Sequence, residues 1–473
     1  METFQRGPQR LTENEVDKLM KCQPHLVKQT YDQIANLTPN SQEVISRQAT
    51  INVGTIGHVA HGKSTLVRSI TTINTVRFRQ ERVRNITIRL GYANAKIFKC
   101  PKCPEPQCYQ SFSSKKQDNA QCGLCKEVMN LVRHISFVDC PGHDILMSTM
   151  LTGAAVMDCA LLIVAANMPC PQPQTQEHLV ALVITKLKYV IVIQNKVDII
   201  FRDQQAALRN YEEITKFIKG TIAEDSPIIP VSAQLEYNID CVLQQICNFF
   251  PIPDRQLQVP PKMIIIRSFD VNKPGEKPEN LQGGVVGGSI LQGILSVGDE
   301  VEIRPGRQSK NGNQTTWHPI TTRVVSLYAE QNELIYAVPG GLIGVGLLID
   351  PSLTRNDNLV GCVLGLPKQL PELYRELEIN YYLMVSVVGA QQQDGKTQKI
   401  AKIQQDEMLK FNVLSNETPG RVMMVKDDKI MRVALNNPVC TGLQEKVAFS
   451  RRLNNKFRLI GWGIITDGKT ITL

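Results

Sequence analysis

The octapeptide Gly57-His58-Val59-Ala60-His61-Gly62-Lys63-Ser64 fits the pattern GxxxxGK[ST], and it constrains this chain more than any other feature. It follows the β-branched run Thr50–Ile56 and opens the helix-like stretch Ser64–Ile70, the strand–loop–helix context that the motif needs. Glycines let consecutive backbone N–H groups turn inward around phosphate oxygens. The helix start adds partial positive charge. Lys63 is placed to neutralise the outer phosphates, and the Ser64 hydroxyl to ligate Mg²⁺.

Three further segments stand at strand ends in chain order. Asp139-Cys140-Pro141-Gly142 follows the apolar run His134–Val138. An aspartate there can hold the metal through water, and the Gly142 N–H can meet the terminal phosphate. Asn195-Lys196-Val197-Asp198 follows Tyr189–Ile193, and the Asp198 carboxylate can accept two hydrogen bonds from guanine, a donor pair that adenine lacks. Ser232-Ala233 ends the run Pro227–Val231, where a backbone N–H can reach the guanine O6. Together they read as a site for GTP and GDP rather than ATP.

Two residues suggest a switch and a reaction. Thr87, in Arg84-Asn85-Ile86-Thr87-Ile88, is a candidate second hydroxyl ligand for Mg²⁺ that engages only with a third phosphate. Alone it is only a β-branched residue in a strand-like run. His143, next to Gly142, is placed to orient the attacking water. No arginine finger is evident in the chain, so intrinsic hydrolysis is expected to be slow and partner-assisted.

The 473 residues suggest roughly three domains. Strand-like runs alternate with helix-like stretches such as Thr175–Lys186 and Gln204–Lys219, which predicts an α/β P-loop domain, a parallel-rich sheet with helices on both faces. Its ligand belongs at the C-terminal strand ends. After Pro251, Pro253, Pro260 and Pro261 the pattern changes to short strands with glycine turns, and again after Pro367–Pro371, which predicts two β-barrels. The expected division is an extension over 1–47, a GTP-binding domain over 48–258 with an insertion at about 99–127, and barrels over 259–370 and 371–473. A capping pair, Thr12 and Glu15, predicts a short helix to about Met20.

Lys and Arg number 53 against 44 Asp and Glu, a formal charge of +9 that permits a polyanionic partner without requiring one. The longest apolar run, Cys159–Ala166, is far short of the ~20 residues that a bilayer requires, and the charged N-terminus has no export signal. No membrane association and a cytoplasmic location are therefore expected. Arg77, Arg79, Arg82, Arg84 and Arg89 make the switch stretch basic: it either faces RNA phosphates or is a solvated loop.

Thirteen cysteines in a chain without an export signal argue against a disulfide framework. Cys159, Cys241 and Cys440 sit in apolar stretches and are expected to pack as small hydrophobes. Cys100-x-x-Cys103 and Cys122-x-x-Cys125, about 18 residues apart, have structural zinc-knuckle spacing. Free thiols or a redox pair remain open, and Cys108 could replace one ligand.

The strings Gly54–Thr65, Asp139–His143 and Asn195–Asp198, with two barrels following, resemble translational GTPases of the elongation-factor-Tu type. Ser46–Thr50, Arg89–Lys96, Asp139–Leu146, Arg267–Gly275, Gly340–Gly346 and Leu459–Gly463 resemble more closely the gamma-subunit family of eukaryotic translation initiation factor 2. The likeness runs from about residue 42 to the end; residues 1–41 find no counterpart.

The resemblance implies GTP-dependent binding of initiator methionyl-tRNA and its delivery to the small ribosomal subunit, with hydrolysis as the release switch. Implied partners are the alpha and beta subunits, a GTPase-activating factor and a guanine-nucleotide exchange factor. Implied catalytic residues are His143, Lys63, Thr87 and Asp139, and implied Mg²⁺ ligands Ser64, Thr87 and Asp139. The implied nucleotide contacts are His58, Val59, Ala60, His61, Gly62, Lys63, Ser64, Thr65, Gly142, Asn195, Lys196, Asp198, Ser232, Ala233 and Gln234. Val59 falls where the family has an apolar gate, and the four zinc-spaced cysteines also match relatives. Tyr92 is a candidate wall of an aminoacyl pocket, and otherwise a strand residue. The rival readings are an elongation-type carrier of another aminoacyl-tRNA, such as selenocysteinyl-tRNA, and a non-catalytic nucleotide-gated scaffold.

Overall fold

The structure is a computed structural model that describes residues 17, 21, 23, 34, 36–75, 87, 89–115, 118–143, 146–185, 187–273, 281–311, 314–384, 386–391, 397–453 and 456–471. Apart from Asp17, the expected helix from Thr12 to about Met20 lies outside these, as do the arginines at 77, 79, 82 and 84 and residues 392–396. Two compact units emerge. One holds residues 49–253 with the hairpin 386–399; the other holds 1–48, 254–385 and 400–473.

The first unit is built on a seven-stranded sheet. Its strands are β1 (Ile51–Ile56), β2 (Gly91–Lys99), β3 (Tyr109–Ser113), β4 (Asn130–Asp139), β5 (Cys159–Ala165), β6 (Val190–Asn195) and β7 (Ile228–Val231). Their order is β3-β2-β4-β1-β5-β6-β7. β4, β1, β5, β6 and β7 run parallel, and β2 and β3 add an antiparallel edge. All seven side chains of β5 are buried, as a strand covered on both faces requires. Each buried Val, Ile or Leu there contributes about 1.5–3 kcal/mol.

Among the described residues, the helices of this unit are α1 (Lys63–Thr71), α2 (Met147–Ala154), α3 (Pro173–Thr185), α4 (Gln204–Ile218) and α5 (Ile239–Phe249). α5 shows the pattern most plainly, with Ile239, Val242, Leu243 and Ile246 turned inward at helical spacing. α4 is capped by Asp203, whose carboxylate accepts the Ala206 N–H at 2.9 Å. Thr55 pairs with Asp139 across β1 and β4, and Ala165 with Asn195 across β5 and β6. That register delivers the loops after four parallel strands to one edge of the sheet.

In the second unit, β8 (Lys262–Phe269), β9 (Val285–Gln292), β10 (Leu295–Ser296), β11 (Glu300–Asn311), β12 (Gln314–Ala329), β13 (Asn332–Leu334), β14 (Tyr336–Ala337), β15 (Ile343–Leu347) and β16 (Val363–Gly365) make the first barrel and its margins. The ring runs β11-β16-β8-β9-β15-β12 and closes where β11 pairs with β12. β11 and β12 form one long antiparallel hairpin. Ile265, Val286, Val301, Val345 and Leu364 fill the interior.

Chain segments β17 (Leu373–Leu383), β18 (Ser386–Gln391), β19 (Thr397–Lys399), β20 (Met408–Val413), β21 (Asn416–Lys426), β22 (Ile430–Cys440), β23 (Lys446–Leu453) and β24 (Lys456–Thr470) follow. The closed second barrel is β17-β22-β21-β20-β23-β24 around Leu377, Phe411, Val433, Phe449 and Ile465. β18 and β19 form the hairpin that groups with the first unit, where β18 lies against α3.

Part of the N-terminal stretch, read from sequence as an extension without a stated role, packs on the first barrel among the described residues. Ile34 and Val44 join Leu257, Ile294, Ile335, Tyr336 and Val338 in one buried cluster. The Gln23 amide accepts from the N–H groups of Ile335 (2.7 Å) and Tyr336 (3.1 Å) and donates to the Tyr336 carbonyl. Gln48 grips the next turn of the same chain: its oxygen accepts the Val338 N–H at 3.0 Å, and its nitrogen donates to the carbonyls of Val338 (2.6 Å) and Gly340 (3.1 Å). Side-chain amides thus satisfy backbone groups that would otherwise be buried unpaired.

Candidate nucleotide site and cysteine cluster

The loop after β1 takes a path that side chains would block. Gly62 has φ 96°, and a Cβ there would stand 2.3 Å from Asn195 Nδ2. Gly57 has φ 139°, and its Cβ would meet the Ile163 carbonyl at 2.3 Å. Lys63 is buried, and its Nζ donates to the carbonyls of Gly57 (2.9 Å) and His58 (2.8 Å), so the ammonium spans its own loop. Burial pulls its pKa down to about 8 against the attraction of Asp139. Gly142 abuts the same loop: a Cβ there would be 2.5 Å from Lys63 Nζ and 2.9 Å from the Val59 N. The structure therefore brings the Gly57–Ser64 and Asp139–Gly142 motifs into contact. Ala60 is exposed with φ 62°, and Val59, Ser64, Thr65 and His143 are half-buried around the loop.

Burial disfavours the charged form of both histidines in the loop. His61 is buried with Nδ1 3.1 Å from the Ile163 carbonyl, and burial lowers its pKa to about 4. His58, with its ring 5.2 Å from that of His61, is lowered by burial and then by Lys63. Sequence reasoning missed His178. It is buried on α3, and its Nδ1 accepts the Gly57 N–H at 3.0 Å. Burial, then Lys63 and His58, push its pKa down to about 3, which keeps the nitrogen free to accept. Nothing in the spacing of the Thr175–Lys186 stretch marks it out from an ordinary helix histidine.

Ser64 Oγ and Thr87 Oγ1 stand 3.1 Å apart. Asp139, fully buried at the end of β4, receives the Thr55 hydroxyl on Oδ1 (3.0 Å) and the Thr75 hydroxyl on Oδ2 (2.6 Å). Two hydroxyls and a carboxylate are hard oxygen donors of the kind Mg²⁺ takes.

Asn195 ties two loops together. Its Nδ2 donates to the His61 carbonyl at 2.9 Å, and its Oδ1 accepts the Ala233 N–H at 3.1 Å. The Ser232 hydroxyl donates to Asp198 Oδ1 at 2.6 Å and accepts the Leu235 N–H at 3.3 Å. Asp198 is therefore oriented while half-exposed. Lys196 takes φ 66°, and Gln234 is exposed. Tyr92 is an inner-sheet residue of β2 paired with Val138.

The insertion after β2 gathers Cys100, Cys103, Cys122 and Cys125, whose sulfurs all lie within 4.8 Å of one another. The sulfurs of Cys100 and Cys125 are 3.4 Å apart, and those of Cys103 and Cys122 3.6 Å. The Cys125 and Leu124 N–H groups draw the Cys122 thiol down to about 6. Gln110 braces the site, donating to Cys122 Sγ at 3.4 Å and accepting the Gly123 N–H at 3.0 Å. Four convergent sulfurs with oriented N–H groups fit a closed tetrahedral metal site. Cys108 is buried outside this quartet. Cys159 and Cys440 are buried, as expected, whereas Cys241 is half-exposed. Among the described residues, no helix is long and apolar enough to cross a membrane.

Comparison with known proteins agrees with this geometry. The elongation factor Tu GTP binding domain matches residues 48–252, elongation factor Tu domain 2 matches 283–365, and the C-terminal domain of initiation factor eIF2 gamma matches 375–465. Eukaryotic translation initiation factor 2 subunit gamma of Schizosaccharomyces pombe is 56% identical over 441 residues, covering 93% of this chain and 98% of that one. Eukaryotic translation initiation factor 2 subunit 3 of Drosophila melanogaster is 57% identical over 445 residues, covering 93% of each. Among solved structures, bacterial selenocysteine-specific elongation factor EF-Sec aligns with a TM-score of 0.65 at 20% identity, over 88% of this chain and 58% of that one. Elongation factor SelB of Methanococcus maripaludis, solved with the GTP analogue GppNHp, aligns at 0.63 and 20%, over 90% and 80%. At that identity the two share its fold. The chain belongs to the gamma-subunit family of eukaryotic translation initiation factor 2 and is a translational GTPase.

Proposed function

We propose that this chain is the GTP-operated core of a multisubunit initiation factor, which holds initiator methionyl-tRNA in the GTP state and delivers it to the small ribosomal subunit. The observation that carries the reading is the identity of 56% and 57% across 93% of the chain to relatives with that factor's name. The partners in this reading are the alpha and beta subunits, a GTPase-activating factor and an exchange factor. We keep the working division at 48–258, 259–370 and 371–473, with 1–47 as a leading segment.

In this reading the N–H groups from His58 to Thr65 cradle the phosphates, and Lys63 leaves its two loop carbonyls for phosphate oxygens. Ser64, Thr87 and Asp139 hold Mg²⁺, which neutralises charge on the phosphates. Gly142 donates its N–H to the terminal phosphate, and His143 orients the attacking water, with Val59 screening it. Asn195, Lys196 and Asp198 read guanine with Ser232, Ala233 and Gln234. Thr87 moves with the third phosphate, and that movement gates the tRNA surface. Cys100, Cys103, Cys122 and Cys125 hold a structural Zn²⁺.

Filter binding of initiator and elongator methionyl-tRNA, each with GTP and with GDP, tests the proposal. A GTP-dependent preference for the initiator is expected. Equal binding with the two nucleotides would overturn it, and preference for another aminoacyl-tRNA would favour an elongation-type carrier.

A further inference from the structure

Asp139 has a second attachment that strand pairing does not explain. Thr55 reaches Oδ1 because β1 and β4 pair in a register that sets Thr55 beside Asp139. Thr75 comes from elsewhere. It follows α1, is only 4% exposed, and donates its hydroxyl to Oδ2 at 2.6 Å across a sequence separation of 64 residues.

Gly91 lies where this contact closes. It pairs with Asp139 as β2 begins, and a Cβ there would stand 2.8 Å from Thr75 Cβ and 3.4 Å from Asp139 Cβ. The chain that carries Thr87 thus leaves at Thr75 and returns at Gly91, one end on the Asp139 carboxylate and the other paired with the Asp139 backbone. Thr87 itself meets Ser64 at 3.1 Å.

We propose that Thr75 is a positioning residue for Mg²⁺: its hydroxyl fixes the orientation of the Asp139 carboxylate and pins the root of the Thr87-bearing segment to it. This rests on the reading that Asp139 serves Mg²⁺. A carboxylate that works on a metal is useful only when aimed, and one flanked by a donor on each oxygen has a single orientation. Loss of such an outer partner commonly costs 10- to 100-fold in metal affinity. Thr75→Val keeps the shape and removes the donor, whereas Thr75→Ser keeps the donor.

The test is the release of a fluorescent GDP from the full chain as Mg²⁺ is varied, alongside thermal melting. Thr75→Val is expected to raise the Mg²⁺ concentration for half-maximal retention by about tenfold or more, with near-normal retention at saturating Mg²⁺. Thr75→Ser should restore the wild-type midpoint. Thr75→Ala, which leaves space in place of a methyl group, should shift it as Val does and covers the case in which Val fails to fold. A folded Val or Ala variant with the wild-type midpoint would overturn the proposal. So would faster release at every Mg²⁺ concentration with a lowered melting point, which marks a packing role alone. If wild-type release ignores Mg²⁺, the underlying assignment of Asp139 falls instead, and the proposal with it.

Discussion

The hydroxyls of Ser64 and Thr87 stand 3.1 Å apart, although 23 residues separate them. One belongs to the first turn of α1 and the other to the segment that precedes β2. In the proposed cycle their meeting depends on the third phosphate. Thr87→Ala is therefore expected to erase most of the preference for GTP over GDP in tRNA binding while GDP affinity changes little. The loss expected for one bond to a charged partner is on the order of tenfold or more. Nucleotide titrations with and without tRNA measure it, and an unchanged preference contradicts the assignment.

Asp198 receives the Ser232 hydroxyl on Oδ1, which holds the carboxylate in one orientation. Asp198→Asn replaces an acceptor with a donor. GTP affinity should fall by about tenfold or more, since hydrogen bonds to charged groups contribute about 1.5–3 kcal/mol, and xanthine nucleotides should gain. Competition binding with the two nucleotide types reads both effects. Retention of full GTP affinity would remove Asp198 from base reading.

Acid should loosen the phosphate loop through His178. Its folded pKa is about 3 against an ordinary 6.5, so the unfolded chain binds the proton more readily. Stability linked to this group is complete above about pH 6.5 and is lost as pH falls towards 3. At pH 5 the expected loss is about 2 kcal/mol. His178→Gln, which supplies a non-titrating acceptor, should reduce the pH dependence of melting between 7 and 4.5 and leave the share that His61, lowered to about 4, contributes. An identical pH profile in the variant would dismiss His178 as the source.

The cysteine quartet predicts about one zinc per folded chain. Chelation, or Cys122→Ser, should lower the melting transition of the GTPase unit by about 4 °C or more, since 1 kcal/mol corresponds to roughly 2–4 °C at this size. Cys108→Ser should leave zinc content unchanged, because Cys108 lies outside the quartet. Elemental analysis and calorimetry check both, and zinc-free folded protein refutes the site.

Gln48 carries three hydrogen bonds to the chain around Val338. Gln48→Leu leaves a buried N–H and two carbonyls without that partner, at about 1–3 kcal/mol per stranded group. Denaturant unfolding of the barrel unit should show it, whereas GDP affinity should hold.

Much of the nucleotide domain could be read directly from residues, because its motifs sit at strand ends and each strand is a compact β-branched run. Ile51–Ile56 and Cys159–Ala165 lie within a residue of where periodicity puts them. The barrels were less legible. β24 includes Gly461, Gly463 and Gly468, which weaken a strand pattern, and only its pairing with β17 and β23 makes it a strand. Thr75 and His178 were invisible for another reason. Each acts through one polar atom on a distant backbone or carboxylate, and no local spacing encodes such a meeting.

The glutamine clasps have a consequence for synthesis. Gln23 and Gln48 leave the ribosome early, yet their partners at Tyr336 and Val338 are made 313 and 290 residues later. Ile34 and Val44 find part of their apolar seat in Leu257 and Ile294 and the rest only with Ile335, Tyr336 and Val338. These residues thus find their place late, and a nascent chain halted before residue 340 carries unseated apolar side chains that invite chaperone capture.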